Sequence, residues 1–253
     1  MDIRRGDCLE LIRTLGAESV DMVVCDPPYG CTKNRWDTVV DLPALFAAIE
    51  RVARPDAVVI FFSQGMLTAE LMTGPWRRHW RYNLVWAKNK VRGALNANRQ
   101  PLRAHEDIIV FYRRPPTYHP QMNTERVMGR GGGNPRRRTS EGSNYGTVRC
   151  QTSTRHGATD RHPTSVLLFR VVNEKDCIHP TQKPVDLMEF LIRSYTDAGQ
   201  TVLDPMMGSG TTGVACRNTD RAFVGFERDP QIFQTAKSRL SSSSSLEQAK
   251  PAI

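Results

Sequence analysis

Leu203-Asp204-Pro205-Met206-Met207-Gly208-Ser209-Gly210-Thr211-Thr212-Gly213 is the stretch on which the fold reading turns. It follows the short apolar run Thr201-Val202-Leu203, which reads as a strand, and it opens a segment that reads as a helix. Gly208, Gly210 and Gly213 stand in G-x-G-x-x-G register, a spacing that allows a tight turn and brings backbone close to a ligand at a helix N-terminus. Glu227, nineteen residues beyond Gly208, ends the next apolar run, where a carboxylate can accept hydrogen bonds from ribose hydroxyls. The pattern implies a nucleoside-bearing cofactor. It is not a triphosphate loop, because no Gly-Lys-Ser/Thr is present.

Outward from this loop the chain alternates. Val20–Cys25, Ala57–Phe62, Asp107–Tyr112 and Ala222–Phe226 are near-continuous apolar runs of the length of strands buried on both faces of a parallel sheet. Leu42, Leu45, Phe46, Ile49 and Val52 have helical spacing behind a cap at Asp41. The same pattern recurs at Val185, Met188, Leu191, Ile192 and Tyr195, and at Ile232, Phe233, Ala236 and Leu240 behind Asp229-Pro230. Strands alternating with amphipathic helices predict an α/β, doubly wound, Rossmann-like fold whose ligands lie at the carboxyl ends of the strands. Asp26, Ser63, Asp204 and Glu227 fall at such ends.

Residues 114–176 break the alternation and read as an insert rich in Pro, Gly, Arg, Ser and Thr. The excess of 35 Lys+Arg over 26 Asp+Glu is concentrated there: residues 113–162 hold ten Arg and three acids. Such a segment suits phosphates, so double-stranded DNA is the expected partner, with Arg130, Arg136, Arg137 and Arg138 as candidate contacts. Residues 1–113 form a first catalytic half, 177–240 a cofactor-binding half, and 241–253, with five consecutive serines, a flexible tail. Six Cys without a C-x-x-C pair fit neither a zinc site nor a disulfide framework, so no metal and a reducing, cytoplasmic compartment are expected. No apolar run approaches the length of a spanning helix, and no membrane role is expected.

Asp26-Pro27-Pro28-Tyr29 follows the first long apolar run. Two prolines fix φ and remove donors, leaving a rigid loop of acceptors. An exocyclic amine on an aromatic base is a poor nucleophile because its lone pair is delocalised into the ring. The Asp26 carboxylate and the Pro27 carbonyl can bind its N–H groups and draw the nitrogen toward tetrahedral geometry, while Tyr29 offers a face to a base turned out of the duplex. His105 and His179 lack further ligands at zinc-like spacing. Cys25, inside an apolar run, reads as core rather than as a nucleophile. The glycine loop alone leaves a nicotinamide dehydrogenase and a methyltransferase both open, but a dehydrogenase usually carries that loop in its first βα unit.

With both motifs in view, the sequence resembles the amino-methyltransferases of DNA, whose catalytic motif is Asp/Asn/Ser-Pro-Pro-Tyr/Phe and whose glycine loop binds S-adenosylmethionine. Catalytic motif first and glycine loop last is similar to the permuted β class, and Pro101-Leu102-Arg103-Ala104-His105-Glu106-Asp107 is similar to phage and prophage members. His179-Pro180-Thr181-Gln182-Lys183-Pro184 resembles the segment forming the methionine end of that family's cofactor pocket, and Gly6-Asp7-Cys8-Leu9-Glu10 one whose Asp contacts the cofactor adenine. The resemblance implies catalytic Asp26, Pro27, Pro28 and Tyr29. It implies cofactor contacts at Asp7, His179, Thr181, Lys183, Asp204, Pro205, Met207, Gly208, Gly210, Thr211, Thr212 and Glu227. Met207 departs from the family's usual Phe. Asp at position 26 favours adenine N6 over cytosine N4 as target, in a monomer or homodimer. Other readings are a DNA-binding regulator with a vestigial pocket and a methyltransferase of RNA or of protein glutamine.

Overall fold

Val20–Cys25 forms a strand (β2) in which Met22 and Val24 point to one face of the sheet and Val23 and Cys25 to the other, each into a separate buried core. That is what a run apolar on both faces demands. The computed structural model describes residues 1–30, 40–122, 161–173, 175, 177–179 and 182–242. Among them, eight strands pair in one sheet in the order β1-β8-β7-β2-β3-β5-β4-β6. The strands are β1 (Asp2–Arg5), β2, β3 (Ala53–Ser63), β4 (Trp80–Arg92), β5 (Arg103–Tyr112), β6 (Val166–Leu168), β7 (Thr201–Asp204) and β8 (Ala222–Glu227). Helices α1 (Cys8–Ile12), α2 (Leu42–Val52) and α3 (Met66–Thr73) contribute Ile12, Phe46 and Leu71 to one core. Helices α4 (Val185–Tyr195), α5 (Thr211–Asn218) and α6 (Pro230–Ser241) contribute Leu191, Ala215 and Ala236 to the other. The architecture is the expected Rossmann-like α/β fold.

Local chemistry sets the helix starts. Asp41 accepts from Ala44 N at 3.0 Å at the head of α2, and Asp229 accepts from Gln231 N and Ile232 N at 2.8 and 3.0 Å ahead of Pro230 in α6. Each cap satisfies donors that the first helical turn leaves without intrahelical partners.

One expectation needs correction. The run Asp107–Tyr112 was read as one more strand of a parallel sheet, yet β5 pairs antiparallel with both β3 and β4, while the other pairings are parallel. The reason is connection length. β3 and β4 are joined through α3 as a crossover that leaves one strand's width between them, and the short link after β4 reverses the chain, so β5 fills that gap in the opposite direction. The strand therefore brings its beginning, not its end, to the carboxyl edge of the sheet.

The chain divides into two compact units, Met1–His119 with Thr164–Ile253, and Pro120–Pro163. The expected insert at 114–176 is thus broader than the second unit, because β6 within it pairs with β4 as part of the sheet. Only residues 120–122 and 161–163 of that unit are described; of the expected tail at 241–253, Ser241 ends α6 and Ser242 is its C-cap, and residues from 243 onward lie outside the described residues.

Phe61 anchors the core beneath α2, with ring centroids 5.2 Å from Phe46 and 6.1 Å from Phe111. It is fully buried. Phe61→Ala is expected to lower unfolding stability by about 3–5 kcal/mol, measured by urea denaturation, because the rigid sheet closes little of the cavity left behind.

Candidate active site

β2 and β7 are adjacent parallel strands in the middle of the sheet, registered Met22 to Val202 and Val23 to Leu203. From β2 the chain leaves toward β3 on one side, and from β7 toward β8 on the other. This is the point where strand order reverses and where a crevice opens beyond the carboxyl ends. Asp26 follows the end of β2 and Asp204 ends β7. A cavity of about 930 Å³ lies there, lined among others by Asp7, Asp26, Tyr29, Lys183, Gly208 and Glu227.

The glycine loop forms one wall. Gly208 has φ +51° and a Cβ built on it would meet nothing within 4 Å, so its bare backbone faces open space. Gly213 serves packing instead: a Cβ there would sit 2.8 Å from both Leu240 and Phe223. Asp204 is buried beneath the loop, where its Oδ1 accepts from Met206 N at 3.1 Å and its Oδ2 from the Thr212 hydroxyl. Burial pushes its carboxyl up to about 7, against those two hydrogen bonds, with the Asp26 and Glu227 charges adding to the rise. Thr211 is held by Arg239 at 3.0 Å, Met207 is buried, and Pro205 lines the cavity with them. Beside the loop Asp7 caps α1 through Leu9 N at 2.9 Å, and Glu227 accepts from Asp229 N at 2.7 Å. Burial raises Glu227, while the backbone N–H groups of Asp229, Gly208 and Arg228 pull it back.

The second wall carries the Asp-Pro-Pro-Tyr loop. The Tyr29 hydroxyl donates to Asp26 Oδ1 at 2.9 Å, and Lys183 Nζ donates to Asp26 Oδ2. Burial beside Asp26 holds the Tyr29 phenol well above its ordinary range, so it remains a neutral donor. Lys183 also lies 3.4 Å from Glu106 Oε2, and Lys88 pairs with Glu106 Oε1. Burial alone would lower the Lys183 ammonium; the Asp26 and Glu106 carboxylates outweigh it and leave it raised. Cys25 is fully buried in the core and its thiol is pushed well up by burial, as a structural cysteine should be.

The structure thus brings Asp7, Asp26, Pro27, Pro28, Tyr29, His179, Lys183, Asp204, Pro205, Met207, Gly208, Thr211, Thr212 and Glu227 to one cavity. Gly210 is the residue preceding α5, with φ +77°. Thr181, Arg130, Arg136, Arg137 and Arg138 lie outside the described residues. Lys183, expected at the cofactor, has its ammonium on Asp26. Glu106 and Lys88 were missed as site residues. Sequence reasoning sought polar residues after apolar runs, whereas Glu106 sits just before one, and only the antiparallel course of β5 puts that end at the site. Among the described residues, no group of three or more His, Cys, Asp or Glu side chains could hold a metal ion, and no helix is long and apolar enough to cross a membrane.

A bare glycine backbone beside a cavity, half-buried Glu227 and Asp7 next to it, and room of about 930 Å³ fit a nucleoside carrying a small charged arm alongside a second flat ligand. Fold and site together define a methyltransferase that uses S-adenosylmethionine. Residues 20–238 match the N6/N4-type DNA methylase family, and the chain belongs to it. Among its relatives, Type II methyltransferase M.BglII of Bacillus subtilis is 26% identical over 94% of this chain and 68% of its own length. Type II methyltransferase M.HpaI of Haemophilus parainfluenzae is 25% identical over 94% and 73%. Among solved structures, the M1.HpyAVI–SAM complex superposes with a TM-score of 0.62 at 24% identity, covering 94% of this chain and 99% of the other. PvuII DNA methyltransferase, cytosine-N4-specific, gives 0.65 at 16%, covering 96% and 87%. DNA is therefore the substrate.

Asp204 yields a pH prediction. Its native value near 7 lies above the ordinary 3.8, so between about pH 4 and 7 the unfolded chain has lost a proton that the native state keeps, and stability falls as pH rises through that window. The Asn variant carries no such term. Its stability relative to the wild type should rise by about 4 kcal/mol from pH 4 to pH 7 and stay level above. Urea denaturation of both proteins across the range checks it, and a pH-independent gap would refute it.

Proposed function

We propose that the protein methylates the N6 amine of adenine in double-stranded DNA, with Asp26 as the acceptor that engages the target amine. The observation that carries the reading is the placement of Asp26: it follows the central strand at the mouth of the crevice, lines the cavity, and is a quarter exposed while the cation on its far side is buried. Asp rather than Ser at this position resembles the adenine enzymes. The glycine-loop wall, with Gly208, Met207, Thr211 and Glu227, holds the cofactor, and Asp7 receives its adenine. S-adenosylmethionine supplies an electrophilic sulfonium methyl when bound. Asp26 and Pro27 engage the amine hydrogens and localise the lone pair on nitrogen, and Tyr29 packs against the base. After transfer the nitrogen carries an acidic proton, which the Asp26 carboxylate is placed to take. Holding amine and methyl in line is the main source of rate, worth up to about 7–11 kcal/mol in favourable cases.

Motif order and the Pro101–Asp107 stretch support a β-class, phage- or prophage-like enzyme, and the Type II relatives support a restriction-modification setting in a bacterial cytoplasm. The arginines at 130 and 136–138 supply phosphate contacts within the segment that recognises the target sequence, and the enzyme works as a monomer or homodimer. Cytosine N4 is the competing target, since a protein of the same fold is cytosine-N4-specific.

Asp26→Ala should reduce methyl transfer to DNA by about a thousandfold or more while cofactor affinity changes less than about threefold, measured by tritium transfer and by calorimetry. Mass spectrometry of nucleosides from methylated DNA should show N6-methyladenine; N4-methylcytosine would overturn the base assignment. Replacing Arg136, Arg137 and Arg138 by Ala should weaken DNA binding and reduce its salt slope by up to about three, and an unchanged slope places the phosphate contacts elsewhere.

A further inference from the structure

Lys88, Glu106, Lys183 and Asp26 form a chain of alternating charges that ends on the residue proposed to hold the target amine. Lys183 precedes α4, Glu106 lies near the start of β5, and Lys88 lies in β4. The Lys183 side chain is only 8% exposed, with its ammonium 5.0 Å over the Phe62 ring. The Lys88 side chain is 11% exposed and lies 4.6 Å over the ring of Trp86. Each carboxylate meets an ammonium, so the set is close to neutral, as buried charges must be. Burial pushes Lys88 down against the pull of Glu106, while Lys183 and Lys88 together hold Glu106 below its ordinary value despite burial.

We infer that Lys183, held by Glu106 and Lys88, is a positioning residue for methyl transfer: it locks the Asp26 carboxylate in the orientation that receives the target amine. This rests on the proposed role of Asp26. A carboxylate with one hydrogen-bonded oxygen can still swing about its side-chain bonds. Here both oxygens are engaged, Oδ1 by Tyr29 at 2.9 Å and Oδ2 by Lys183, which fixes the carboxylate plane. Each oxygen accepts more than one hydrogen bond, so capacity remains for the amine. Glu106 turns Lys183 toward Asp26 rather than along the cavity toward the cofactor. Its Oε2 is buried with no hydrogen-bond donor among the described residues, only the ion pair with Lys183 at 3.4 Å. A carboxylate in that state pulls on the ammonium without competing for its best bond.

The test compares Lys183→Met, Lys183→Arg, Glu106→Gln, the Lys183→Met/Glu106→Gln double variant and Asp26→Asn as full-length proteins. It uses single-turnover tritium transfer to duplex DNA, calorimetric S-adenosylmethionine binding and circular dichroism. Lys183→Met should slow transfer about a hundredfold, with cofactor Kd and the KM for DNA within about threefold, since a displaced reacting group costs rate rather than affinity. Lys183→Arg should recover at least about tenfold of that loss. Glu106→Gln, which keeps the side-chain shape, should lose about tenfold on its own and less than about twofold in the Lys183→Met background, because it acts through the lysine. It carries the test by itself should Lys183→Met not fold. Cofactor affinity falling in step with rate would make Lys183 a cofactor ligand and overturn the inference, as would no recovery with arginine or additive losses in the double variant. Wild-type rates in the Lys183 and Glu106 variants, with Asp26→Asn inactive, overturn this inference alone. Activity in Asp26→Asn overturns the role given to Asp26.

Discussion

The parallel pairing of β2 with β7 is the constraint on which the rest of the molecule depends. It sets two strand ends that are about 180 residues apart in sequence side by side, one leading into Asp26-Pro27-Pro28-Tyr29 and the other into the glycine loop. Because the chain departs from these strands to opposite sides, and their following helices pack on opposite faces, neither helix fills the space above them. The crevice is a consequence of topology, and both motifs open into it.

Electrostatics divides that crevice in two. Beneath the glycine loop, Asp204 is buried with a hydroxyl and an amide as its hydrogen-bond partners among the described residues, and its carboxyl is driven up to about 7. There it works as loop architecture, tying Met206 and Thr212 to the end of β7. Across the cavity the Asp26 carboxylate meets an ammonium that is itself backed by a second carboxylate and a second ammonium. Two acids a strand apart therefore have different environments because one has a cation and the other does not. That difference fits a structural role for Asp204 and the amine-binding role proposed for Asp26.

Much of this was legible before any coordinates. The runs at Val20–Cys25, Ala57–Phe62 and Ala222–Phe226 are apolar on both faces and became sheet interior, and Asp41 and Asp229 capped the helices they preceded. Gly208 met the requirement that the loop's spacing suggested, an open backbone, whereas Gly213 turned out to serve close packing against Leu240 and Phe223. β1, β4 and β6 were not legible. β1 and β6 are short, and β4 mixes Arg, Lys, Asn and Trp in a way that lacks a continuous apolar signature. Strand direction was misread at β5 for the same reason: without β4 in the reading, nothing announced a hairpin.

The sequence by itself determined the composition of the site's two poles, because an acceptor loop after one strand and a glycine loop after another are local chemistry written in consecutive residues. It also pointed to the family, through those two motifs together. The tertiary structure decided which charges meet. Lys183 is 157 residues from Asp26 and 77 from Glu106, and no spacing rule links them. They converge because β5 runs antiparallel between β3 and β4, delivering Glu106 to the carboxyl edge of the sheet where Lys183 enters α4. Local patterns encode which groups a chain carries. Long-range strand pairing, fixed by connection length and sheet packing, decides what stands beside them.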